Sequence, residues 1–343
     1  MDIRSVGIDL GKTTFHLVAL GVRGQVLIRK KFSQKQLLVF TANLPTGLIG
    51  LEACSGAHFL GRALRQQGHE VRLIPAQFVK PFVKSNKNDF LDAEAIAEAV
   101  DRQNMRFVPI KTEDQLDLQA LHRVRDRLVS RRTAVINQLR AFLLERGIIF
   151  RKGAAPLRKQ MPETLENANI SLSLRMRNLL HLLWQEWKAL DQQVEDLSTE
   201  IETLAASDPT CQHLLTIPGV GSLVATAIVA AIGNGAAFRK GREFAAWLGP
   251  VPKQYSTGGK AKLLGISKRG NPYLRKMLIH GARCVVMRLK RERSPLGAWM
   301  NGLEARAPRN VLIVATANKL ARIIWAVLSS GENYSAAYSV APA

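Results

Sequence analysis

The chain has 343 residues, 47% of them hydrophobic, and its 49 lysines and arginines against 27 aspartates and glutamates give a formal charge of +22. That length and apolar content allow two or three domains with real cores and exclude a disordered tail. The charge calls for nucleic acid or an anionic membrane surface as partner, most strongly in residues 206–343, where 19 basic residues face 5 acidic ones. Cys54, Cys211 and Cys284 form no CxxC pair, so neither a disulfide framework nor a zinc knuckle is indicated and a reducing cytoplasm fits. "MDIRSVGIDL" has charges where a secretion signal needs a long apolar core. The uncharged run from Leu214 to Phe238 is broken by Pro218 and several glycines, so it reads as a buried helical hairpin and not as a membrane span.

In chain order, "RSVGIDLG", "TTFHLVAL" and "QVLIRKKF" predict an antiparallel meander, the last two joined by the turn "GVRG". "GLIGLEA" predicts a buried fourth strand, "AHFLGRALRQQG" a helix ending at Gly68, "EVRLIPA" a fifth strand and "NDFLDAEAIAEAV" a helix. Three antiparallel strands followed by alternating helix and strand is the order of the ribonuclease-H-like fold, an α/β architecture. Carboxylates stand at telling places on it. Asp9 interrupts an apolar strand, where a charge is costly unless it is paired or ligates something. Glu52 ends the fourth strand in the same way. Asp89 and Asp92 lie about one turn apart at the start of a helix and project from one face. Converging at the C-terminal edge of a sheet, the four would offer oxygen ligands to one or two Mg²⁺ ions that activate and clamp phosphoryl oxygens. The bland alternative for Asp89 and Asp92 is a favourable placement in the helix dipole.

"GIDLGKTT" is not a Walker loop, because the place of the first glycine is taken by Val6. It looks more like the first phosphate hairpin of the actin-like and sugar-kinase ATPases, but no second copy follows.

From Thr112 to about Ser207 the pattern is long and helical. Leu118, Leu121, Val124, Leu128, Val135, Leu139, Phe142 and Leu143 form one apolar stripe, ended by Gly147. A second helix runs through "LRMRNLLHLLWQEWKALDQQVEDLSTEIETL". The first is basic and the second acidic toward its end, which suits an antiparallel hairpin or pairing between subunits. Arg123, Arg125, Arg127, Arg131 and Arg132 either serve that packing or hold nucleic acid.

"LLTIPGVGSLVATAIVAAIG" has the pattern of a helix-hairpin-helix, with Gly219 and Gly221 in the hairpin and amides free to meet a DNA phosphate. Then comes "VPKQYSTGGKAKLLGISKRGNPYLRK", with adjacent hydroxyls at Ser256 and Thr257, the pair Gly258 and Gly259, and a ladder of cations. Alone, it reads as a flexible basic loop touching phosphate.

Taken together, "GIDLGK" with Asp9, "LEACSG" with Glu52, "KNDFLDAEAIAEA" with Asp89 and Asp92, and "IPGVG" followed by "WLGPVPKQYSTGGKAKLLGISKRGNPYLR" resemble the DEDD transposases of the insertion-sequence 110 group, most closely its 1111-type subgroup. The blocks recur in order over nearly the whole chain, and the last is the most specific. The resemblance implies a RuvC-like nuclease domain over 1–110, a helical coiled-coil domain over 111–207 and a mainly helical C-terminal transposase domain with a serine loop over 208–335, then a tail at 336–343. It also implies serine recombinases related to Piv-type invertases, guided by a bridge RNA that pairs with donor and target DNA. Asp9, Glu52, Asp89 and Asp92 would hold Mg²⁺, and Ser256 would attack the scissile phosphate and keep the strand as a phosphoserine. Lys253, Lys260, Lys262, Lys268, Arg269 and Arg275 would position nucleic-acid backbone, with Gly270 and Asn271 shaping a turn. Family members combine the carboxylate domain of one subunit with the serine domain of another, so a homodimer or homotetramer is expected, cytoplasmic and not membrane-bound. The neighbouring hydroxyls leave Thr257 as the competing nucleophile. Two other classes stay open: a RuvC-like nuclease or junction resolvase using water, and a noncatalytic nucleic-acid binder.

Overall fold

The computed structural model describes residues 2–84 and 88–335; the expected tail at 336–343 and Lys87 of "KNDFLDAEAIAEA" lie outside them. The chain divides into two compact units, Met1–Leu116 and Asp117–Ala343.

In the first unit, β1 (Ile3–Leu10), β2 (Phe15–Gly21) and β3 (Val26–Phe32) form an antiparallel meander. β4 (Leu48–Glu52) then lies parallel to β1, and β5 (Glu70–Ile74) parallel to β4, giving the order β3-β2-β1-β4-β5. Alternation along the strands sorts the two faces. Val6, Ile8, Leu17, Ile49 and Leu51 pack on one side with Leu37 of α1 (Gln34–Ala42) and with Leu60 and Leu64 of α2 (Ala57–Gln66). Val18 and Leu20 point the other way, onto Ala93 and Ala97 of a helix that runs from Asp89 to Ala99. A short α3 (Ala76–Val79) precedes that helix, α4 (Asp89–Ala99). The result is a mixed α/β layer structure whose five strands fall where the apolar alternation puts them.

Helix α1 is absent from the sequence-based order. Its signal was a capping box: the Ser33 side chain receives the Gln36 amide, and the Gln36 side chain receives the Ser33 amide at 2.9 Å.

Glycines set the distance between β1, β4 and α4. A Cβ on Gly7 would fall on the Ala93 carbonyl oxygen and the Ala97 amide, and one on Gly50 would sit 2.8 Å from the Val100 Cβ. Only the missing side chains let α4 lie so close to these two strands, with the Ser5 hydroxyl donating to the Ala97 carbonyl at 2.8 Å across the gap.

The second unit holds two cores. One joins α5 (Glu113–Leu144), α6 (Ala154–Glu166) and α7 (Leu174–Ser207) around Leu128, Val135, Leu139, Leu157, Met161, Trp184 and Trp187. Arg125 donates to the Ser198 hydroxyl at 2.8 Å, and farther along α5 Arg132 reaches Asp191 at 3.1 Å. Rising numbers on one helix thus meet falling numbers on the other, so α5 and α7 pair antiparallel within one chain. The apolar stripe holds with one exchange: Val124 is 43% exposed, and the buried position belongs to His122.

The other core gathers α8 (Pro209–Leu215), α9 (Ser222–Ile232), α10 (Gly241–Leu248), α11 (Pro272–Arg288), α12 (Pro295–Glu304) and α13 (Arg309–Ser330). By length and composition α13 is the one helix among the described residues that could cross a membrane, yet Leu312, Ala317, Leu320, Ile324 and Val327 place it in the middle of this core. The uncharged run around α9 is buried as a helical hairpin, as expected.

Residues expected as a flexible serine loop form a ribbon instead: β6 (Pro252–Thr257) and β7 (Lys260–Ile266) pair antiparallel. Gly258 and Gly259, both at positive φ (55° and 76°), make the two-residue turn. Two left-handed residues in a two-residue turn match the right-handed twist of the strands, so the glycine pair closes a hairpin.

Candidate active site and nucleic-acid interface

β1 and β4 are parallel neighbours, so Asp9 and Glu52 leave the sheet at the same edge. Asn88 caps α4 by accepting the Phe90 amide at 3.0 Å, which starts the helix at Asp89 and puts Asp92 one turn in. Because Gly7 and Gly50 hold α4 against these strands, the helix start reaches the sheet edge. The electrostatics record the convergence. Burial, then the Asp92 and Asp89 carboxylates, push the Asp9 carboxyl up to about 6; Glu52 adds to this and His16 opposes it. Glu52 is pushed up by burial and then by Asp92, with Lys80 opposing. Four carboxylates therefore share one field, and like charges so placed favour a proton or a cation. The helix-dipole reading of Asp89 and Asp92 alone does not explain the effect of Asp92 on two strand residues.

Sequence reasoning missed His16. It stands opposite Asp9 in the β1–β2 ladder, its Nδ1 is 3.7 Å from Asp89 Oδ2, and its ring meets Phe90 edge-on at 4.7 Å. That Nδ1 is buried with no hydrogen-bond partner. The signal was a histidine inside an apolar strand, one hairpin away from Asp9. Cys54 also lies in this field: burial and the Glu52 and Asp9 carboxylates push its thiol up.

Hard, all-oxygen donors with raised proton affinity fit Mg²⁺ chemically. Among the described residues, no group of three or more His, Cys, Asp or Glu side chains lies close enough to hold a metal ion. Asp9, Glu52, Asp89 and Asp92 fit the ion by donor type, and ligation requires their side chains to draw together.

The basic residues fall into two sets. Ser256 sits next to last in β6, paired with Ala261, and its hydroxyl accepts from the Gln254 amide at 2.8 Å. Lys253, Lys260, Lys262, Lys268 and Arg269 are exposed around it. Arg275 is engaged inside the fold, donating to the Leu248 carbonyl at 3.1 Å and the Arg269 carbonyl at 2.8 Å, where it braces the segment after the ribbon. Gly270 packs on the Trp247 carbonyl, and Asn271 caps α11 through the Tyr273 amide at 2.9 Å. On α5, Arg123 and Arg127 are exposed, whereas Arg131 donates to Glu186 at 2.8 Å. Arg125 and Arg132 are tied to α7.

Gly219 and Gly221 lie between α8 and α9. Gly219 is held at φ 83° against Val285 and Gly281 of α11, so packing alone demands it. Gly221 starts α9 with no side-chain cap, which leaves amides of the first turn open.

A family described as Transposase, the DEDD type of IS110, matches residues 6–147, and one described as Transposase IS116/IS110/IS902 family matches residues 211–296. The transposase for insertion sequence element IS1328 of Yersinia enterocolitica is 45% identical over 97% of this chain and 99% of its own length. The transposase for insertion sequence element IS1111A of Coxiella burnetii is 41% identical over 97% of this chain and 92% of its own. A probable family 20 transposase of Pseudomonas aeruginosa is 43% identical, over 97% and 99%. These likenesses run through the carboxylate unit and the ribbon alike, and the chain belongs to the IS110/IS116/IS902 family of insertion-sequence transposases.

Proposed function

We propose that this transposase cuts and exchanges DNA strands through a RuvC-like carboxylate centre made by Asp9, Glu52, Asp89 and Asp92, with Ser256 as nucleophile. The strand order of the first unit supports the RuvC-like reading. The observation that carries the proposal is the Asp9 carboxyl held up to about 6 by burial and then by the Asp92 and Asp89 carboxylates, a strain that a divalent cation would relieve. When bound, Mg²⁺ supplies positive charge to the phosphoryl oxygens and the attacking oxygen. The chain does the rest. The Ser256 Oγ forms a bond to phosphorus and gives up its proton, and the leaving oxygen of the scissile strand takes one. The phosphoserine ester keeps the energy of the broken bond, so a second strand can replace the serine without ATP. Lys260 and Lys262, across the ribbon from Ser256, hold the DNA backbone, and Gln254 orients the hydroxyl. Thr257 is the competing nucleophile; its secondary alcohol is more hindered.

RNA guidance and assembly into a homodimer or homotetramer belong to this reading. The charge excess of residues 206–343 supports a second nucleic-acid strand beside the DNA.

A water-using nuclease is the second reading, favoured by the confinement of all four carboxylates to one unit. Co-expression with DNA carrying the element's ends, then denaturation, digestion and mass spectrometry, separates the two. A nucleotide adduct on Ser256 that disappears in Asp9→Asn supports the serine route. Cut ends without an adduct, at undiminished rate in Ser256→Ala, would overturn it in favour of water.

A further inference from the structure

Outside the carboxylate site, one cavity lies in the second unit between α5, α6 and α7. It has a volume of about 360 Å³. Its wall contains Arg132, Arg140 and Arg158 against the single carboxylate of Asp191, so it carries an uncompensated positive charge. Asp191 is spent on Arg132 at 3.1 Å and on Arg158. Arg140 holds the chain entering α6 by donating to the Arg151 carbonyl at 3.0 Å and to the Gly153 carbonyl. Those contacts leave guanidinium N–H groups unspent, since each guanidinium carries five donors.

Two further features of the wall favour an anion. Gly153 begins the 13-residue α6 with no side-chain cap, so the amides of its first turn lack partners from the cap and the helix dipole adds positive character there. Trp187 is fully buried in the wall, its indole N–H has no acceptor, and the Arg158 guanidinium lies 5.6 Å from its ring centre. Ile136 and Ala154 add apolar surface, and Asn137 adds an amide. Guanidinium forks, an open helix start, an apolar wall and one amide are the features that a phosphate, a sugar and a base edge require.

We propose that this cavity seats one nucleotide of a single-stranded nucleic acid, its phosphate taken by Arg132, Arg140 and Arg158 and the start of α6. The proposal rests on the chain's being a nucleic-acid enzyme, and it is independent of Ser256 and the carboxylates. It gives the α5–α7 pair a binding role distinct from the ribbon, and it explains why so basic a helix keeps some arginines tied to α7 and still lined up along one opening.

The test compares Thr133→Glu with Ala134→Glu. Both positions are exposed on α5, but only Thr133 lines the cavity, so the two variants add the same charge inside and beside it. Labelled single-stranded DNA and RNA of one sequence are titrated by fluorescence anisotropy across a salt series, with thermal melts to show that both variants fold. The expected result is binding weakened roughly tenfold by Thr133→Glu, a log–log salt slope reduced by about 1, and Ala134→Glu within about twofold of the parent. Loss with both strands places the recognition in the shared phosphate backbone; loss with one identifies that strand as the occupant. Equal loss in the two variants, or no loss in either, overturns the proposal. The DNA-cutting test on Ser256 is unaffected by either outcome.

Discussion

Individual side chains decide the chemistry. Asp9 is a group kept in an unfavourable state: with its carboxyl raised to about 6, it is charged at neutral pH at the expense of the fold. Asp9→Asn is therefore expected to stop DNA cutting while stabilising the metal-free protein by about 1–2 kcal/mol, after discounting for solvent screening. Cleavage assays beside thermal melts check this, and a destabilised variant would contradict it. His122 behaves oppositely. The Thr226 hydroxyl donates to the Ser222 carbonyl at 2.6 Å, so the His122 Nε2–H must donate to Thr226 at 2.9 Å and Nδ1 must accept from the Tyr273 hydroxyl at 2.9 Å. The ring is thereby held as the neutral Nε2–H tautomer, and burial, then Arg125, lower its pKa to about 4. Below about 6.5 the unfolded chain takes up the proton more readily. This histidine's contribution is thus complete above that value and is lost as pH falls toward about 4, amounting to about 3 kcal/mol. Urea melts from pH 7 to pH 4 should show the loss, and His122→Leu should flatten that part of the curve while lowering stability at pH 7.

At the scale of elements, the placement of α4 on β1 and β4 converts strand residues into a site. Gly7→Ala is expected to cost about 3 kcal/mol or more and to abolish cutting, because the added methyl meets helix backbone, which cannot step aside. Gly47→Ala is the comparison, with nothing nearer than 3.8 Å to the new methyl. Circular dichroism melts of the two variants check the difference. The strands were readable because apolar residues alternate with a period of two and are bounded by turn residues. Asp9 and Glu52 stood out because nothing about a strand favours them. α1 escaped notice because its evidence is a cap and not a stripe. α6 escaped because Pro162 lies inside it and only Leu157, Met161 and Thr164 of its 13 residues are buried, too few for a clear stripe. The contact of His16 with Asp89 and the Asp191 pairings are unreadable from periodicity, since each depends on which residue arrives from another element.

For the whole molecule, the charge is distributed unevenly. The last third holds much of the excess, and its exposed lysines include three on the ribbon, Lys253, Lys260 and Lys262, while arginines such as Arg275 serve as internal braces. Nucleic-acid affinity should therefore fall steeply with ionic strength, about a thousandfold between roughly 50 and 200 mM salt. A filter-binding or anisotropy series measures this, and an affinity indifferent to salt would mean that the formal charge is not the binding charge.

The ribbon has one more consequence. All of β6 and nearly all of β7 face solvent, and a two-stranded hairpin without a packed face is only marginally stable. Its lysines at 253, 260 and 262 thus offer trypsin some of the most accessible cleavage points along the chain. A nick there would separate Ser256 from α11 on one side or from α10 on the other, and a bound strand would cover the same bonds. If a strand occupies Ser256 as proposed, trypsin should open this ribbon more slowly in its presence, and the ratio of the two rates would follow the occupancy.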